Sequence, residues 1–134
     1  MKTLRIEDRK STTQKGIDAL DSLFDSLTFA DDVDTVTGPE FAIKADIGDN
    51  NVFWSDRGRV RINNGRVSIF ALDSDHSYGH MEPIYTPWNI QKIDFAGIIE
   101  SLMGAVSQYN SLCKEKDAEI ETFLTFCAAY KDQR

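Results

Sequence analysis

The hydrophobic positions of this chain change period along its length. Ile17, Leu20, Phe24 and Leu27, with Leu23 beside them, recur at three- and four-residue steps, the spacing that lines one face of an α-helix. Thr12 or Thr13 stands where the N-cap would fall, and residues 1–11 read as an N-terminal arm. The helix is expected to end near Ala30, where Asp31, Asp32 and Asp34 open a polar connector and Gly38-Pro39 marks a turn.

Period two follows. Phe41, Ile43, Ala45 and Ile47 alternate with Ala42, Lys44 and Asp46, the pattern of a half-buried strand. Residues 48–51 read as a turn, 52–55 as a second strand and 59–63 as a third. Asn64-Gly65 then predicts a type I′ hairpin, because both central residues of that turn need positive φ. Pairing Asn63 with Arg66 sets Ile62 opposite Val67, Arg61 opposite Ser68, Val60 opposite Ile69 and Arg59 opposite Phe70. One face becomes Val60, Ile62, Val67, Ile69 and Ala71, and the other Arg59, Arg61, Ser68, Phe70 and Leu72. Four short strands with tight connections predict an antiparallel meander.

Through residues 73–89 the periodicity disappears, and two prolines with Gly79 argue against regular structure. Loops of this length in compact domains are often functional. Asp94 looks like an N-cap. Beyond it Phe95, Ile98, Ile99, Leu102, Val106, Tyr109, Cys113, Lys116, Ile120, Phe123, Cys127 and Tyr130 form a stripe at steps of mostly three and four. One helix over that stripe would run ~54 Å, longer than the ~36 Å diameter of a globule of this size. Either it breaks in 114–119 (KEKDAE), with Asp117 capping a second helix, or its end protrudes and is buried against another subunit. The break is the expectation. The fold class is α+β in a single domain, 1–134: an N-terminal helix, a four-stranded antiparallel meander, and one long or two consecutive C-terminal helices packed on the sheet's apolar face.

Composition supports this picture. With 134 residues, 41% of them hydrophobic and 28% charged, the chain can bury a core without a disulfide or metal staple, and disorder is a poor reading. The first ten residues lack the apolar stretch of a secretory signal, and no window approaches the ~18 apolar residues of a membrane span. Cys113 and Cys127 fall on the apolar helical stripe and read as reduced, buried thiols of a cytoplasmic protein.

Charge alters the picture most. Net charge is −7, unevenly spread. Residues 16–56 hold ten acidic side chains and one basic, net −9, whereas 57–66 hold Arg57, Arg59, Arg61 and Arg66 and no acid, net +4. Asp18, Asp21 and Asp25 step along one flank of the first helix, and Asp31, Asp32 and Asp34 prolong the series. Read functionally, this is an anionic strip for a basic protein surface, disfavouring direct nucleic-acid binding and able to stand in for a phosphate backbone. The plainer reading is a solvated helix face. For the arginines the plainer reading, that they neutralise nearby acids and stack on Phe70, is preferred.

The loop adds Tyr78, Tyr85 and Trp88, stiffened by Pro83 and Pro87, as aromatic anchors for a partner. Its His76 and His80, with Glu82, supply the one spacing with metal or acid–base potential, although a Gly- and Pro-containing loop does not hold both rings on a common face. No nucleophile, phosphate-binding or Cys-x-x-Cys motif is present. The expectation is therefore a non-enzymatic, cofactor-free, acidic protein-binding module that meets no membrane. Its form would be an inhibitor, of the anti-defence or immunity type, occupying a partner's basic nucleic-acid site. The first alternative is a small acidic homodimeric chaperone or adaptor joined through Ile120, Phe123 and Cys127 of the C-terminal helix. The second is a metal-assisted enzyme using His76 and His80.

Overall fold

The structure is a computed structural model and describes residues 3–47, 53–72, 81–84 and 89–132. Helix α1 (Arg9–Ser26) leads into strands β1 (Val36–Thr37), β2 (Phe41–Ile47), β3 (Phe53–Asn63), β4 (Arg66–Leu72), β5 (Met81–Ile84) and β6 (Asn89–Ile93), and helix α2 (Phe95–Asp132) follows. The strands form one antiparallel sheet in the order β5-β4-β3-β2-β6, with β1 pairing the end of β3 beyond β2. The architecture is α+β, with a long C-terminal helix packed on the sheet.

The hairpin forms in the expected register: Asn63 faces Arg66, and the pairs continue to Arg59 opposite Phe70. Asn64 and Gly65 take φ of 52° and 81°, the conformation the turn demands. Val60, Ile62, Val67 and Ile69 are buried together with Val36, Phe41 and Ile43, against Ile98 and Ala105 of α2. Ile17 of α1 is also buried, with Leu20, Phe24 and Leu27 packed partly against the core.

Several local expectations are corrected. Asp8, not Thr12 or Thr13, caps α1, its Oδ1 accepting from the Ser11 N–H at 3.1 Å. The helix stops at Ser26, because Leu27 turns extended. The expected second and third strands are one strand, β3, running through Asp56-Arg57-Gly58. Gly58 permits this: a Cβ there would press on the ring of Phe41 at 3.2 Å. The loop expected at 73–89 contains β5 and the start of β6, and β6 crosses to the far edge to pair with β2. Pro83 is accommodated in β5, at one end of the strand order, as edge strands allow.

The break expected at 114–119 does not occur. Helix α2 is continuous over 38 residues, ~57 Å at ~1.5 Å per residue. The segment offers no glycine or proline to stop it, its Lys, Glu and Ala residues favour helix, and Lys116 meets Glu119 one turn on at 3.7 Å. Asp117 therefore sits mid-helix, and every residue from 117 to 131 is exposed. Cys127 is exposed and Cys113 half-buried, which corrects the expectation of two buried thiols.

One contact fixes where α2 lies. Between the last β2 pair, Phe41 with Gly58, and the first β1 pair, Thr37 with Arg61, the ladder along β3 is interrupted. The gap is closed by Gly38, whose N–H donates to the Val60 carbonyl at 2.8 Å. The Val60 N–H in turn donates to Ser101 Oγ of α2 at 2.9 Å, in full burial. Helix backbone approaches so closely that a Cβ on Gly38 would collide with the Ser101 carbonyl, and one on Gly104 would meet Pro39 at 2.7 Å. Replacing Ser101 by Ala leaves a buried N–H without an acceptor, a loss of ~1–3 kcal/mol read as a lower urea midpoint at unchanged slope. Gly38→Ala is expected to be worse, since backbone cannot yield as a side chain does. A Ser101→Ala midpoint equal to the parent's would contradict the clasp.

Candidate protein-docking surface

The acidic connector is held at both ends. Phe29 N–H donates to the Gly65 carbonyl at the hairpin tip, 3.1 Å away, and its ring meets Tyr109 of α2 edge-on at 4.9 Å. Ala30 N–H donates to the Tyr109 hydroxyl at 2.7 Å. At the other end the Thr35 hydroxyl donates to the Asn63 side-chain oxygen at 2.6 Å, and Val36 enters the sheet opposite Ile62. Asp31, Asp32 and Asp34 lie between these anchors, all exposed. Their carboxylates are thus carried on a short, tethered segment.

That segment brings acids from distant parts of the sequence together. Asp32 and Asp34 line a shallow groove of about 180 Å³ with Glu115, Lys116 and Glu119 of α2, so four carboxylates surround one ammonium. Asp25 and Asp31 line a second groove, about 580 Å³, between the end of α1 and the hairpin tip, with Arg66 across from them. Asp18 lies further up α1, accepting from Gln14 at 2.8 Å, and Asp21 beyond it is half-buried and engaged. The six aspartates singled out from sequence are therefore not one strip: two share the larger groove, two the smaller, and two stand apart on the helix. Glu115 and Glu119 were missed. Their signal was an i, i+4 pair on one helix flank, hidden by the expectation that the helix breaks there.

The field of this patch reaches α2. At Tyr109 the hydrogen bond from Ala30 lowers the hydroxyl's pKa, but the hydrogen bond with the neighbouring Cys113, partial burial and the negative charge of Asp32 outweigh it. The net effect is a hydroxyl held above the usual tyrosine range.

The arginines occupy the sheet face turned away from Val60 and Ile62. Arg57 and Arg59 each meet a Glu40 oxygen at 3.2 Å, and Arg61 lies over the Phe70 ring at 4.7 Å from its centroid. Of the four, Arg61 stacks on Phe70, and Arg57 and Arg59 bind Glu40, the acid just before β2. Asp25, Asp31, Asp32 and Asp34 gain no cation partner among the described residues.

Tyr78, Tyr85, Trp88, His76 and His80 lie outside the described residues, and Glu82 is placed only by its backbone pairing with Ala71. Among the described residues no three His, Cys, Asp or Glu side chains gather as a metal site requires, and no helix is long and apolar enough to cross a membrane. Known protein families, characterised proteins and solved structures offer no match to this chain.

Two outcomes check this geometry. Tyr109→Phe removes the acceptor for Ala30, which should cost ~1 kcal/mol and speed exchange of the Ala30 amide; an unchanged exchange rate would show the connector is held by other means. Glu40 sits below its ordinary value of 4.5, first through the hydrogen bond from Arg59, with Arg57 adding charge against partial burial. A depressed folded pKa means the stabilisation is complete above about pH 4.5 and fades as acid carries the pH down through the lowered value. Glu40→Gln should therefore cost up to ~1 kcal/mol near neutrality and nothing once the parent's carboxyl is protonated. Equal losses at both ends of the pH range would contradict that assignment.

Proposed function

We propose that this protein is a non-enzymatic binding module that docks its anionic connector on a basic surface of another protein in the cytoplasm. The observation that carries the reading is the convergence of Asp32 and Asp34 with Glu115 and Glu119 around one groove, while Arg57, Arg59 and Arg61 sit with Glu40 and Phe70. These three arginines are thus engaged away from the smaller groove, where Lys116 is the one cation among the lining residues, while Arg66 borders the larger one. Like charges gathered on a tethered segment contribute nothing to the fold and create a potential that attracts a cationic partner and repels nucleic acid.

The partner is read as a protein whose basic site ordinarily holds DNA or RNA. Carboxylates at Asp31, Asp32 and Asp34, with Glu115 and Glu119 beside them, gather several negative charges close together, as a phosphate backbone does. The Asp25–Asp31 groove, about 580 Å³, has the volume for one lysine or arginine side chain. An inhibitor of this kind needs no reaction centre: it gains encounter rate from its field and specificity from the fixed spacing of its acids.

The test is capture from the native host on the immobilised chain, followed by binding of the purified partner. Affinity should fall at least tenfold between roughly 0.05 and 0.5 M salt as the Debye length shrinks, the partner's own nucleic acid should compete, and Asp31, Asp32 and Asp34 together changed to Lys should abolish binding without loss of fold. A partner held equally well by the reversed variant would sink the proposal.

A further inference from the structure

The end of α2 carries a face that none of the other described residues covers. Beyond Lys116 the helix leaves the sheet, yet Ile120 is 43% exposed, Phe123 62%, Leu124 55%, Phe126 63% and Tyr130 67%. Phe126 and Tyr130 stack on each other at 6.2 Å, still open to solvent. At ~150–250 Å² per aromatic side chain, the three rings alone leave roughly 300–500 Å² of apolar surface in water, with Ile120 and Leu124 adding to it. Monomeric proteins rarely expose contiguous patches of more than a few hundred Å².

The spacing identifies what fits. Cys113, Lys116, Ile120, Phe123, Cys127 and Tyr130 step by three and four without exception, the 3.5-residue period that seats one helix along another. Leu124 and Phe126 flank that seam on either side. Charges are unequal along the segment: Asp117, Glu119 and Glu121 stand at its beginning and Lys131 at its end. The segment is therefore complementary to itself when turned end for end.

We propose that residues 117–131 of α2 pair antiparallel with the same residues of a second copy, about a two-fold axis at the level of Thr125. In this register Ile120 faces the second copy's Tyr130, and Phe123 faces its Cys127, an aromatic–sulfur contact. All four seam layers are filled. Leu124 and Phe126 each meet their own symmetry mates, so every exposed large hydrophobic residue of the segment is used. Asp117 lies beside the second copy's Lys131, twice over by symmetry, and the two helix dipoles oppose favourably. Cys127 does not meet Cys127, so the association needs no disulfide.

The area is somewhat short of the ~800 Å² per partner of a standard stable interface, which suits a dimer that dissociates on dilution. The two sheets then lie at opposite ends of a helical bar, with an anionic connector at each.

Sedimentation equilibrium of the full chain, under reducing conditions, tests this. A dimer is expected at tens of micromolar. Phe123→Asp should weaken it about 100-fold or more while the Val60 amide stays protected from exchange, showing that the sheet and the Ser101 contact are intact. Asp117→Lys and Lys131→Asp should each weaken it about tenfold, and the two together should restore the parent affinity. A parent that stays monomeric at about 200 µM, a dimer indifferent to Phe123→Asp, or charge reversals that fail to compensate would each overturn the proposal.

Discussion

The arrangement depends on the interruption in the ladder along β3 and the way it is closed. Strands β1 and β2 both pair with β3 but do not meet, and the step between them leaves the Val60 amide to be satisfied from outside the sheet. Ser101 supplies the acceptor and Gly38 the room. A hydroxyl buried to the last square ångström, bonded to a strand amide, fixes the rotation and the position of α2. Hydrophobic contacts with Ile98 and Ala105 would tolerate sliding; a hydrogen bond beside two glycines does not. Once α2 is pinned at that point and continues in its own direction, it outruns the sheet.

Two surfaces follow from that one placement. Where α2 passes the connector, Tyr109 takes hold of Ala30, and Glu115 and Glu119 come alongside Asp32 and Asp34. Where it passes the end of the sheet, an apolar stripe that is buried at Ile98 and Ala105 continues, exposed among the described residues, at Ile120, Phe123 and Tyr130. The charged patch is suited to fast, salt-sensitive encounter, the apolar segment to a slower and less selective attraction. Each is costly to carry: gathered carboxylates repel, and exposed rings invite aggregation. Neither cost is explained by the fold, which is why both surfaces are read as contacts with other chains.

Local rules were sufficient where a few adjacent residues decide the outcome. Asn64-Gly65 dictates both positive φ values and therefore the whole β3–β4 register, and the three- and four-residue steps of Ile17, Leu20 and Phe24 reveal α1, though not its two ends. They failed where distant parts meet. Nothing near Asn89 signals that β6 will pair with β2, and the lack of periodicity in a four-residue strand containing Pro83 conceals β5. The Asp8 cap was missed because Thr12 and Thr13 are equally good capping types nearer the apolar stripe. The continuity of α2 was misjudged by an argument from size, which assumes that a chain fills a sphere; the helix formers of KEKDAE decide against it. That error also hid Glu115 and Glu119, so half of the tighter acidic groove became visible only with the fold.

Both surfaces require α2 to run unbroken through residues 114–119, and this is open to a single distance. Nitroxide labels at Ser107 and Thr125, both exposed and five turns apart on one side of the helix, with Cys113 and Cys127 replaced by Ser and the labelled chain diluted in unlabelled protein, report that distance by pulsed electron resonance. An intact helix predicts one narrow population near ~27 Å. A broad distribution, or a mean several ångströms shorter, would mean that the helix bends at its charged segment, and neither surface could then exist in the form described.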